Sequence, residues 1–320
     1  MKKAAFPVFF ITLMFLFTSC KTTSIEFSGL DNTNSTSITL GLKIYFPSFL
    51  ESEGKRKNKM VQGDCSIIIF PDGKCMMIDC LDTAGEKDLI NFLNSLGIKK
   101  IDYFIATHNH RDHIGCLPAL LENFQIENYF WNGIHFNTDI DEKVTQTLMD
   151  KKINTKILRQ GNSLILDEQS FCRLEVLWPK EFSEKEIEKA FYNPEKNQRL
   201  RNNTSIVFKL SYGDFSILFT GDIYKKTDRI LSELYGTNLK STILKAPHHG
   251  EFYTANSPDF IKAVSPEYAV ILDNQYIKHY NYIITSRYKK TKTPLLYRNT
   301  PGVIQINTDG KNYQINQYSF

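Results

Sequence analysis

No CxxC pair occurs among the six cysteines of the chain, which argues against a zinc ribbon. Cys65, Cys75, Cys80, Cys116 and Cys172 are five in number and cannot all pair, so a disulfide framework is not expected either. They read as small core residues. No GxSxG occurs, so no serine nucleophile is signalled. No stretch recurs at a fixed period, which removes the repeat architectures. Neither sign of charge dominates: 39 Lys and Arg stand against 35 Asp and Glu, a net +4 over 320 residues. That is not the footprint of a protein that coats nucleic acid. The basic runs, Lys55 to Lys59 and Arg287 to Lys292, read as solvated loops. Histidine is scarce, with seven in all, yet three of them fall in the single stretch ATHNHRDHIG, Ala106 to Gly115.

The N-terminus reads as an address. MKKAAFPVFFITLMFLFTSC has two lysines, an apolar run from Ala4 to Phe17, then Thr18-Ser19-Cys20. A charged start, a short apolar run and small residues before a cut describe a secretory signal. The apolar run is a little short of the ~20 residues that a membrane span needs. The cysteine after the small pair resembles a bacterial lipobox, although Phe17 stands where an aliphatic residue is usual. The resemblance implies a lipidated Cys20, export, and anchoring to the bacterial cell envelope as a lipoprotein. Residues 21–41, rich in Ser, Thr and Asn, read as a flexible tether. Residues 42–320 read as one domain.

Within that domain strands and helices alternate. LKIYF is a strand, and CSIIIF and KCMMID flank a PDG turn. EKDLINFLNSLG sets Leu89, Ile90, Leu93 and Leu96 on one helical face and ends on glycine. IDYFIAT is a buried strand that runs straight into the histidine stretch. SEKEIEKAF opens with Ser183 and Glu186 at capping-box spacing. SIVFKLSYGDFSILFTGD is a hairpin about Gly213-Asp214. IENYFW, Lys156 to Leu158, Ser163 to Leu166, Cys172 to Trp178, STILKA, YAVIL, GVIQIN and KNYQI complete the strands. LPALLENF and the stretches near Arg229 to Leu234 and Ser257 to Ala263 read as helices, and Tyr192 to Asn203 reads as a polar stretch. The expected class is α/β, as two mixed β-sheets packed face to face with helices on both outer faces, an αββα sandwich.

His108 and His110 lie two apart just past a strand end, and Asp112 and His113 follow at once. Imidazole nitrogen and carboxylate oxygen suit zinc, manganese or iron. Four such groups exceed what one open catalytic ion needs and fit half of a two-metal site.

This HxHxDH stretch resembles the signature of the metallo-β-lactamase fold superfamily, and further matches follow in order. Asp79 in MMIDC resembles the aspartate that orients the metal loop. Asp222 in LFTGD resembles the metal-bridging carboxylate. His248 and His249 in LKAPHHG fall where another metal histidine is expected. VQGD (Val61 to Asp64), LWP (Leu177 to Pro179), NNTSIVF (Asn202 to Phe208) and the final NTDG resemble the hydrolase module of ComEC-type DNA-uptake proteins. The channel part of those proteins has no counterpart here. The resemblance implies two divalent ions, zinc or manganese. His108 and His110 would hold the first, Asp112, His113 and His249 the second, and Asp222 would bridge them. Asp112 would also orient the attacking water, and His248 would face substrate as an imidazolium. The third first-ion histidine common in the superfamily is missing: His135 comes too early, and His279 in NQYIKHY is a ligand or substrate contact at most. Cys116 packs rather than ligates.

The reaction so implied is metal-dependent hydrolysis of a phosphodiester, in nucleic acid or in a phosphate-containing envelope polymer. The alternatives are a metallohydrolase of an ester, lactone or amide, and a non-catalytic binding lipoprotein with a degenerate site. No obligate protein partner is expected.

Overall fold

The protein is described by a computed structural model that covers residues 41–52, 57–168, 171–192, 197–251, 253–272 and 286–320. The expected signal peptide, Cys20, the tether up to residue 40, and His279 lie outside the described residues. Among the described residues, no helix is long and apolar enough to cross a membrane.

The chain first builds one sheet from β1 (Leu42–Ser48), β2 (Cys65–Ile69), β3 (Cys75–Cys80), β4 (Lys100–Ile105), β5 (Gln125–Trp131) and β6 (Asn154–Ile157). It then builds a second from β7 (Ser163–Asp167), β8 (Cys172–Trp178), β9 (Val207–Tyr212), β10 (Phe215–Phe219), β11 (Ile243–Lys245), β12 (Tyr268–Val270) and β13 (Leu295–Leu296). It returns to the first sheet as β14 (Gly302–Thr308) and β15 (Tyr313–Ser319). The spatial orders are β15-β14-β1-β2-β3-β4-β5-β6 and β13-β12-β11-β10-β9-β8-β7. In each sheet, antiparallel hairpins give way to parallel strands: β3 to β6 in one, β10 to β13 in the other.

Side-chain alternation assigns each strand residue to a layer. On β3, Met76 and Ile78 join Phe208, Ile217 and Ile243 in the core between the sheets. Met77, one residue away, faces outward into a core closed by α1 (Glu86–Ser95), α3 (Leu117–Asn123) and α4 (Asp139–Asp150), through Leu89, Phe92, Leu117, Leu120 and Val144. On the far side, Leu218 and Leu244 pack with Leu231 of α7 (Lys225–Tyr235) and Phe260 of α8 (Pro258–Val264). Both faces of β3 are covered, which is why all six of its residues are buried. The order of layers is therefore helix, sheet, sheet, helix, as expected. The Ser183–Glu186 capping box is present, at the head of α5 (Glu184–Phe191).

Three helices and one short strand were not anticipated: α2 (Arg111–Ile114), α4, α6 (Gln198–Asn202), the last in a stretch read as polar, and β13. The turn α2 is only four residues long. It is formed by the backbone of His110, whose carbonyl accepts from the N–H groups of His113 and Ile114 at 3.0 and 3.1 Å. The five described cysteines are buried, and none forms a disulfide with another of them.

Candidate metal centre

Four strand ends supply the site. β3 carries Asp79 next to its last residue, and β4 leads through Ala106 and Thr107 into His108. β10 ends in the Gly221-Asp222 turn, and β11 leads through Ala246-Pro247 to His248 and His249. The two sheets meet here, because Ile206 donates its N–H to the carbonyl of Thr107 at 2.9 Å. His248 and His249 sit at φ +48° and +50°, a conformation that costs an L-residue ~1–2 kcal/mol each. It turns two adjacent imidazoles to the same side of the chain end.

Asp222 is the hub. Its Oδ2 lies 3.2 Å from His113 Nε2, 3.3 Å from His249 Nε2, and 3.9 Å from both His108 Nε2 and His248 Nε2. Asp112 Oδ2 lies 3.3 Å from His249 Nε2 and 3.9 Å from His113 Nε2. His108 Nε2 and His110 Nδ1 face one another at 2.9 Å. The expected ligands thus converge in two groups: His108 with His110, and Asp112, His113 and His249, with Asp222 between them.

Hydrogen bonds behind the rings fix the direction in which each presents its lone pair. Asp79 accepts the N–H and the hydroxyl of Thr107, both at 2.8 Å, and the Nδ1–H of His113 at 2.7 Å. The Thr107 hydroxyl hydrogen is spent on Asp79, so its oxygen accepts from His108 Nδ1 at 3.1 Å. His249 Nδ1 lies 3.1 Å from Asp64 Oδ1. His248 Nδ1 lies 2.8 Å from Thr254 Oγ1, whose hydroxyl goes to Glu251. Four rings therefore hold Nδ1 protonated and turn Nε2 toward Asp222, the arrangement by which carboxylates seat metal-binding histidines. Asp79, expected to orient the metal loop, lies behind His113 and Thr107.

Burial disfavours charge on His113 and His249, but the surrounding carboxylates outweigh it and hold both pKa values well above the ordinary imidazole range. Asp222 acts on both; Asp79 and Asp112 add to it at His113, and Asp64 and Asp112 at His249. Burial likewise opposes the ionised form of Asp112, and His113 and His249 overcome it and draw the carboxyl far down. His110 goes the other way, lowered to about 4 chiefly by burial. His248 is also lowered, by burial that Asp222 only partly offsets. With Nδ1 donating to Thr254, His248 is a neutral ring with an accepting Nε2, which Asn202 Nδ2 approaches at 3.3 Å. This differs from the imidazolium expected from sequence, because its partner on the Nδ1 side is a hydroxyl that itself donates to a carboxylate.

The donor set fits divalent ions. It holds two carboxylates, Asp112 and Asp222, and four neutral-capable imidazoles, with Asp64 and Asp79 behind the rings. Buried His113 Nε2 and Asp222 Oδ1 find no well-aligned hydrogen-bond partner among the described residues, a cost that a cation would relieve. Asp64 also lies close: one ligand atom each of Asp64, His113, Asp222 and His249 fall within 4.8 Å of one another. Its oxygens, however, engage His249 Nδ1 and Lys245 Nζ, on the far side of the imidazole from Asp222. Asp64 is therefore behind the ring, and Asp112 is in front of it. Asp64 in VQGD, Thr107 in ATHNHRDHIG, Asn202 in NNTSIVF and Lys245 in LKAPHHG lack any ligand-like spacing, and the sequence assigns them no role.

Two other expectations are settled by packing. His135 pairs with Asp141 at 3.4 Å and stacks near Trp131 with a half-exposed ring, apart from the centre. Cys116 is buried and directs Sγ at the carbonyl of Asp82 at 3.1 Å, so it packs.

A divalent ion entering this set must displace the protons of His113 and His249. Protons and metal then compete for the same Nε2 atoms, so affinity should rise as pH rises. Titration calorimetry in buffers of different ionisation heat should show proton release at about pH 7, and a weaker constant at about pH 6 than at about pH 8. Equal constants with no proton release would contradict the protonated pairs.

The description of the metallo-beta-lactamase superfamily matches residues 59–130. The chain is 28% identical over 189 residues to ComE operon protein 3 of Bacillus subtilis, covering 59% of this chain and 22% of that protein. It is 26% identical over 227 residues to competence protein ComA of Neisseria gonorrhoeae, covering 70% of this chain and 28% of that protein. The chain thus spans under a third of the length of either relative. Among solved structures, CmlA, a diiron β-hydroxylase from Streptomyces venezuelae, superposes with a TM-score of 0.50 at 12% identity, over 82% of this chain and 54% of that one. That likeness concerns the fold alone.

Proposed function

We propose that this chain, which has the metallo-β-lactamase fold of metal-dependent hydrolases, is a binuclear phosphodiesterase displayed on the cell envelope by a lipid on Cys20. The observation that carries the reading is the placing of Asp222 Oδ2 between two donor groups, His108 with His110 on one side and Asp112, His113 and His249 on the other. Zinc or manganese would occupy both groups. Two such ions lower the pKa of a shared water and clamp the entering and leaving oxygens of an in-line displacement.

The protein's own residues do the rest. Asp112 is the most open carboxylate of the centre, with its side chain 32% exposed, and is placed to orient the attacking water. Asp79 and Thr107 hold His108 and His113 in one tautomer. His248 borders the centre on the Asp222 side, 14% exposed, and its Nε2 accepts a proton or a hydrogen bond from the reacting groups. Tyr224 packs on the His248 ring at 4.9 Å and limits its rotation. The choice of a phosphodiester over a carbonyl is supported by the VQGD, NNTSIVF and LKAPHHG stretches, which resemble the hydrolase module of DNA-uptake proteins, and by the likeness to competence protein ComA. Nucleic acid and a phosphate-containing envelope polymer are the substrate classes.

The test is turnover after metal removal, with zinc, manganese or nothing returned. Bis(p-nitrophenyl) phosphate and linear DNA should be cleaved only on return of a metal, with about two ions per chain. Turnover of nitrocefin or p-nitrophenyl acetate in their place would move the reading to an amide or ester hydrolase. His248→Ala should keep both ions and lose about 10²–10⁴ in turnover, the range for one proton-transfer group. An empty centre in that variant would make His248 a ligand and reverse its assignment with His249.

A further inference from the structure

Asp64 and Lys245 belong to neither donor group, yet both side chains are buried beside them, at 4% and 3% exposure. We propose that they form a positioning pair for His249, and through it for the second ion; the inference rests on the two-ion reading above.

Removing a carboxylate and an ammonium from water costs several kcal/mol each, which their attraction repays only in a specific geometry. Here Asp64 uses its two oxygens for two purposes. Oδ2 is paired with Lys245 Nζ, and Oδ1 faces His249 Nδ1 at 3.1 Å. An ion pair that served the fold alone would not need the second contact. The main chain of Asp64 reaches the same group from the other side, since its N–H donates to the carbonyl of Asp112 at 3.2 Å. Its carbonyl accepts from Leu81, two residues past Asp79, at 2.9 Å. One residue therefore sets the orientation of His249 by its side chain and the loop of Asp112 and His113 by its backbone. Lys245 keeps Asp64 an acceptor, so that His249 carries its hydrogen on Nδ1 and offers Nε2 to Asp222 and Asp112.

The test uses the full chain and metal alone. Asp64→Asn with Lys245→Met removes both charges at nearly constant volume and leaves no lone buried charge. The metal-free variant should unfold cooperatively near the wild-type midpoint. In titrations with Mn²⁺ and Zn²⁺ it should bind one ion as the wild type does and the second about 10–100-fold more weakly. Wild-type affinity for both ions would make the pair structural only and overturn the proposal. A wild type that binds no ion would remove the two-ion reading, and this with it. If the double variant does not fold, Asp64→Glu carries the test. It preserves both charges but displaces the carboxylate, so the same loss is expected and an unchanged second ion refutes the pair.

Discussion

Gly63→Ala should destabilise the protein by about 2–5 kcal/mol and empty the metal centre at once. Gly63 sits at φ +104°, and a Cβ there would lie 1.7 Å from the carbonyl oxygen of Asp112 and 2.6 Å from its carbon. Both are backbone atoms, so no rotamer change relieves the clash. The loop of Asp112 and His113 must be pushed away from Asp64, and the second donor group opens. Gly73→Ala is the control, because Gly73 has φ +85° with nothing within 4 Å of the added methyl. It should cost only the ~1–2 kcal/mol of the backbone conformation. Urea midpoints with and without added metal separate the two variants. If Gly63→Ala lost no more than Gly73→Ala and still bound metal, the contact between VQGD and the metal loop would not matter.

Asp222→Ala should abolish hydrolysis while leaving the metal-free fold intact. The backbone of Asp222 is held independently of its carboxylate, through Ser205 Oγ on its N–H at 3.0 Å. The carboxylate itself faces four imidazoles. Its loss removes the main force that keeps His113 and His249 protonated, so both can turn neutral and no uncompensated cation is left buried. Affinity for both ions should fall by more than the ~10–100-fold typical of an orienting residue, because a direct donor to each is lost. Circular dichroism, metal content and turnover of bis(p-nitrophenyl) phosphate measure the three parts. Retention of two tight ions would show that Asp222 does not bridge.

Much of this was legible from residue pattern. The αββα layering follows from strands that alternate apolar faces and from helices with one apolar stripe, such as Leu89, Leu93 and Phe92. The ligands were legible because HxHxDH packs four donors into six residues, and because FTGD and PHHG end strands. The helix α4 was missed: DIDEKVTQTLMD buries little beyond Val144 and Leu148, too sparse a stripe to stand out. Thr107, Asp64 and Lys245 were illegible for a different reason. Their roles arise from partners far away in the chain, as with Asp64 and His249, 185 positions apart. A single sequence carries no mark of which aspartate will meet which imidazole. The neutral state of His248 was hidden differently: Thr254 and Glu251 lie only six and three positions away, but nothing in the sequence says that they accept in series.

The site's donors come from both sheets: His113 follows β4, while Asp222 and His249 follow β10 and β11. An ion held by all three would staple the sandwich across its seam, in a protein whose five described cysteines form no cross-link of their own. Loading would then act as a tether on unfolding, adding roughly 2.7 kcal/mol at a metal concentration a hundredfold above the dissociation constant. A chelator would loosen the seam between the halves before it harmed either sheet. Hydrogen exchange at Ile206, whose N–H crosses to the carbonyl of Thr107, is the place to see that seam part.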